Sequence, residues 1–178
     1  MIEAEYAALR ATIRERGTAR LVIAWLTLTA WGLAVSRLNW VPVASLVTLF
    51  ILAAGFEVMF ALFLNVERIG RYIEVFHEHG DAGGSGWETV ATAYAGTFTA
   101  SGPDALFSRL FLIATLLNYV IPLAASAPTP ARSLIVGTAH AAFAVRIMVA
   151  RRVAARQRQE DLTRYRRLRG PAAPSTPR

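Results

Sequence analysis

The chain has 178 residues, 54% of them hydrophobic and 17% charged, with 19 basic side chains, all Arg, against 12 acidic ones and a formal net charge of +7. An ordinary soluble domain is less apolar and roughly 25% charged, so the composition argues against disorder and against a typical cytosolic enzyme. The absence of Cys excludes disulfide scaffolds, thiolate metal sites, iron–sulfur clusters and cysteine nucleophiles.

Residues 1–20 carry seven charged side chains, with Ile2, Tyr6, Leu9 and Ile13 recurring at steps of three and four, the pattern of an amphipathic helix. Between Arg20 and Arg37 lie 16 uncharged residues, LVIAWLTLTAWGLAVS, and Leu38–Phe56 supplies 19 more before Glu57. The run VMFALFLNV then reaches Glu67, and further uncharged stretches follow from Leu110 to Ala131 and from Ser133 to Val145. A helix crossing a roughly 30 Å hydrocarbon core needs about 20 mostly apolar residues. Snorkelling arginines and interfacial tryptophans extend the shorter runs.

The expected fold is therefore an all-α, four-transmembrane-helix integral membrane protein with cytoplasmic helical extensions. Its spans lie at about 21–36, 41–66, 107–126 and 132–150, joined by a cytoplasmic connection over 67–106. A soluble four-helix bundle is disfavoured because Leu110–Leu123 shows no polar face apart from Asn118. A cleaved signal peptide is disfavoured by three acidic residues in its n-region.

The second helix is expected to run on to His79 and to break in the glycine-rich segment GDAGGSG from Gly80. Residues 87–103, small and weakly polar, fit an interfacial helix, a re-entrant segment or a loop. Pro103 and Asp104 are start signals for the third helix. The fourth continues through RRVAARQRQEDLTRYRRLR to Gly170, with disorder expected after about 170.

The charge is unevenly placed. Residues 151–178 hold nine Arg against Glu160 and Asp161, a net +7, whereas the ten Arg and ten acidic residues before them cancel. With both termini cytoplasmic and Arg146 snorkelling inward, 17 of the 19 Arg lie inside and only Arg37 and Arg132 face out, which obeys the positive-inside rule and suits an inner-membrane location. In the tail, Arg151, Arg152, Arg156, Arg158, Arg164, Arg166, Arg167 and Arg169 are expected on the anionic inner leaflet, where each contributes about 1 kcal/mol. Docking on the acidic connection between residues 66 and 109, of net charge −3, is a second use for the tail, while nucleic acid is disfavoured.

Within the spans the residues of interest are Glu57, Arg146, His140 and Asn118, because an ionisable or strongly polar side chain there marks a partner, a pathway or a ligand. Glu57 lies about 24 Å in from Val41 and Arg146 about 20 Å in from the outer end of its helix, so the two can pair. His140, nearer mid-depth, can face Asn118 or Thr115.

In the connection, Glu67, Arg71, Glu74 and Glu78 form a stripe expected to be a solvated, salt-bridged helix end. A metal site from Glu74, His77, Glu78 and His79 is the sharper alternative, although di-iron bundles need two Glu-x-x-His motifs and one is present. No phosphate-binding glycine loop, nucleotide fingerprint, nucleophile elbow or zincin motif occurs.

The functional expectation is a non-enzymatic scaffold or regulatory subunit of a membrane complex, homo-oligomeric or with other subunits, and without a cofactor. Its competitors are an oligomeric ion or proton channel or ion-coupled transporter using Glu57, and a membrane-embedded metalloenzyme using Glu74 and His77.

Overall fold

The computed structural model describes residues 2–37, 43–78, 86, 87, 90, 103–126 and 128–170. Every element among them is helical: α1 (Ile2–Arg37), α2 (Ala44–Ile73) continued by a π-helical turn (Glu74–Glu78), α3 (Pro103–Ala125) and α4 (Pro130–Arg169). All four helices are long and apolar enough to cross a membrane.

The helix ends follow local chemistry. Pro103 opens α3, where its missing N–H is no loss. Gly170 ends α4 in a left-handed conformation (φ 76°), its N–H donating to the Arg167 carbonyl at 3.3 Å. Pro122 lies inside α3 and removes the helical donor to the Asn118 carbonyl. The expected amphipathic helix over residues 1–20 and the first span prove to be one unbroken helix, α1. No breaker separates them: Gly17 alone is tolerated within a helix of this length. Residues 80–85 of the breaker segment, most of residues 87–103 and the tail beyond 170 lie outside the described residues.

The chain divides into two compact units. The larger comprises residues 17–63 and 101–152, and the smaller residues 1–16, 64–100 and 153–178. The core of the larger unit is apolar, with Leu52, Phe111 and Ile147 fully enclosed and Phe56 packed edge-on against Phe111 (5.5 Å between ring centres) and Phe143 (5.9 Å). Gly55 brings α2 directly against Thr27 of α1, where a Cβ would collide with the threonine side chain. The outer surface of this unit is also apolar, with Trp25, Phe50, Leu116 and Leu134 among its exposed side chains.

The smaller unit is built differently. Tyr72 and Phe76 meet at a 31° tilt with ring centres 4.7 Å apart and both meet Tyr165 edge-on, while His77 sits between Tyr6 (5.7 Å) and Tyr72 (5.9 Å). These rings tie the start of α1, the end of α2 and the end of α4 together, and they supply apolar contact with polar edges.

Candidate functional site

Asn118 is the polar centre of the larger unit. It projects from α3 with 2% of its surface exposed, and every hydrogen-bonding position of its amide is used. Trp31 Nε1 of α1 donates to its Oδ1 at 3.1 Å, and the Thr48 hydroxyl of α2 donates to the same oxygen. Its Nδ2 donates to the Ser45 carbonyl of α2 at 2.8 Å and lies 3.0 Å from His140 Nε2 of α4. One side chain thus joins all four helices.

Chemistry sets the proton positions. An indole N–H can only donate and a carbonyl can only accept, so Oδ1 must face Trp31 and Nδ2 must face Ser45. His140 Nδ1 lies 2.8 Å from the Val136 carbonyl and therefore carries a hydrogen. Its Nε2 then accepts from Asn118, so the imidazole is neutral with a defined tautomer. A protonated imidazole would set two donors face to face across 3.0 Å.

The sequence pointed to Asn118 and His140, and the structure brings them together. Trp31, Ser45 and Thr48 were missed; the available signal was that an indole and two hydroxyl residues interrupt otherwise aliphatic stretches. Thr115 is buried beside the node but turns its hydroxyl back to the Phe111 carbonyl at 2.6 Å.

Glu57 and Arg146 also meet, with Arg146 Nη2 2.7 Å from Glu57 Oε2. The Arg146 guanidinium lies over the rings of Phe60 (5.2 Å) and Phe56 (6.0 Å). The pair is not enclosed: its side chains remain 47% and 38% exposed.

The smaller unit holds the second polar cluster, and it corrects one expectation. The stripe of residues 67–78 is not a solvated helix end: Arg71 is only 4% exposed and Glu74 is buried with it. Arg71 donates to Asp161 of α4 and to Glu67, both at 2.8 Å, and Arg158 of α4 donates to Glu67 at 3.0 Å. The burial arises because the continuation of α4 covers this stripe, which the sequence treated as open to solvent. A cleft of about 180 Å³ lined by Ile13, Glu67, Arg71, Glu74 and Arg158 adjoins the network. Its two acids and two arginines balance.

Of the arginines assigned to the lipid surface, Arg158 is thus engaged with Glu67, Arg164 pairs with Glu160 on its own helix at 3.2 Å, and Arg169 donates to the Val75 carbonyl. Arg151, Arg152, Arg156, Arg166 and Arg167 are exposed.

Among the described residues no group of three or more His, Asp or Glu side chains is placed to hold a metal ion. Glu74, His77 and Glu78 share the π-helical turn, and His79 lies outside the described residues. His77 Nε2 stands 3.9 Å from Glu5 of α1, which also accepts a hydrogen bond from the Tyr72 hydroxyl at 2.9 Å. That bond to a carboxylate, aided by partial burial, holds the Tyr72 phenol above its ordinary pKa of 10.0. Compared with known proteins, the chain matches no family model, no curated protein and no solved structure.

Proposed function

We propose that this chain is an integral inner-membrane protein with both termini cytoplasmic, acting as a non-enzymatic scaffold or regulatory subunit of a membrane complex. The larger unit occupies the bilayer, and the smaller unit with the basic tail lies in the cytoplasm against the anionic leaflet. One observation carries this reading: the buried amide of Asn118 spends its full hydrogen-bonding capacity on the four helices, while the surface of the same unit is apolar. Hydrocarbon demands both, since unsatisfied polar groups there cost several kcal/mol and apolar surface costs nothing.

The same geometry favours scaffold over conduit. A proton pathway needs a group that accepts and releases a proton, and the bonds around His140 oppose a second proton on its ring. Glu57 is held by Arg146 at the edge of the unit. The test has two arms. Carbonate-resistant association with membranes, with cytoplasmic reporters active at both ends and inactive in the turn after Arg37, is expected. Proteoliposomes holding the purified chain are expected to show no cation or proton flux between pH 5 and 8. Flux that disappears in Glu57→Gln would replace the scaffold reading with a channel.

A further inference from the structure

We infer that the exposed surface of α2 and α4 around the Glu57–Arg146 pair is where a second copy of this chain docks, in the same orientation, with the two ion pairs closing into one four-membered charge network. The inference rests on the membrane reading above and adds to it a partner and an interface.

The starting point is an incompletely satisfied pair. A guanidinium has five N–H donors, and among the described residues that of Arg146 makes one hydrogen bond, to Glu57 Oε2. Roughly half of the Glu57 side chain remains uncovered. In water such a pair would contribute little and need nothing more. Within a span a charge left facing lipid is costly, and a partner at the same depth satisfies the remaining donors and the second carboxylate oxygen without the side chains having to reach for the interface.

The partner's chemistry follows from symmetry. Two copies inserted in one orientation are related by an axis along the membrane normal, so a residue meets only residues of its own depth. Glu57 lies six residues before Phe63 and Arg146 six before Arg152, the points where α2 and α4 leave the larger unit. Each is therefore about 9 Å from that end. Acid and base share one depth and one exposed surface, which makes that surface complementary to its own two-fold image: each Arg146 bridges its own Glu57 and that of the second copy. An unrelated anionic or cationic partner would satisfy one member of the pair and oppose the other.

The flanking residues permit close approach. Ala54 and Ala61 lie three residues before and four after Glu57, on its stripe of α2, and Ala142 lies one turn before Arg146; all three are exposed. Small side chains at this spacing let helices pack closely in lipid.

The absence of Cys makes the test clean. In native membranes, the full chain carrying Ala61→Cys is expected to form a disulfide-linked dimer under mild oxidation, whereas Ile113→Cys, on the exposed face of α3, stays monomeric. In the Ala61→Cys background, Glu57→Arg and Arg146→Glu each place like charges on this surface and are expected to abolish that dimer. Co-expression of the two variants with different tags is expected to restore it as a mixed dimer, because each chain then supplies the charge the other lacks. An intramolecular pair cannot produce that rescue.

Equal cross-linking at residues 61 and 113, a monomeric mass for the unmodified chain in mild detergent, or no mixed dimer from variants that reach the membrane would overturn the proposal. If either charge variant fails to accumulate, the cross-linking contrast and the mass of the unmodified chain decide alone. A chain absent from the membrane fraction would instead refute the membrane reading.

Discussion

The two units bury polar groups in opposite ways. In the larger unit the buried centre is a neutral amide whose partners come from all four helices. In the smaller unit it is a guanidinium held by two carboxylates, each of which meets a second arginine, Arg158 on Glu67 and Arg68 on Asp161. A neutral network needs no counter-charge and is at home inside an apolar shell. A charged network depends on full pairing, and its rim can rely on water. The contrast teaches that the kind of polar centre a unit buries goes with the surface it presents: the unit with the uncharged centre is the one that exposes Trp25, Phe50 and Leu134.

The sharpest way to break the contrast is at Arg71. Replacing it with Met leaves Asp161, which is 7% exposed, with only the more distant Arg68 at 3.8 Å, and is expected to cost about 3–5 kcal/mol. Chemical denaturation followed by limited proteolysis of the α4 extension would read this. Double replacement of Arg71 and Asp161 by Met and Leu should recover much of the loss, since the penalty comes from the unpaired charge.

Next in size is Asn118→Leu, which strips the partner from Trp31 Nε1 and His140 Nε2 and one bond each from Thr48 and the Ser45 carbonyl, which keep their bond to each other at 3.0 Å. Unfolding in mixed micelles is expected to show a loss of about 2–4 kcal/mol, the range of four bonds of the strength usual in membranes. Asn118→Asp should be no better, because a carboxylate cannot donate to Ser45 or His140. An unchanged stability would mean that the node is decorative.

A third test addresses packing without polarity. Gly55→Ala is expected to cost about 1–3 kcal/mol through overpacking against α1. Thr27→Ala should not rescue it, since Thr27 Cβ itself lies 2.6 Å from the added methyl position, whereas Thr27→Gly should. The smallest effect is expected for Tyr72→Phe in the smaller unit, under about 1 kcal/mol. Because its phenol pKa is raised on folding, the stability it adds is present below pH 10 and lost as pH climbs through the elevated value. The variant should show a shallower loss over that alkaline range.

Much of this was legible in the sequence, for reasons specific to each element. Long uncharged runs announced the four helices because hydrophobic length is counted along the chain. Pro103 and Gly170 marked their helix ends because a missing N–H and a left-handed φ are local demands. Asn118 and His140 stood out as lone polar residues in apolar runs. The burial of Arg71 was not legible. It depends on where α4 passes after Arg152, and the stripe Glu67, Arg71, Glu74 has the same spacing whether it faces water or another helix. Trp31 and Thr48 were hidden for a related reason: both are ordinary in a span, and only the meeting of α1 and α2 at Asn118 gives them partners.

The division into a lipid-solvated and a water-solvated unit is tested most directly by spin labels on single cysteines, which this Cys-free chain accepts without background. Labels at Phe50 and Leu116 of the larger unit and at Arg164 and Leu168 of the smaller one, all exposed positions, are placed in liposomes. Their relaxation is then measured against oxygen and against a water-soluble nickel chelate. Labels at residues 50 and 116 are expected to respond to oxygen and be shielded from the chelate, and those at 164 and 168 to do the reverse. Free access of the chelate to residues 50 and 116 would contradict the account and make the larger unit a soluble bundle.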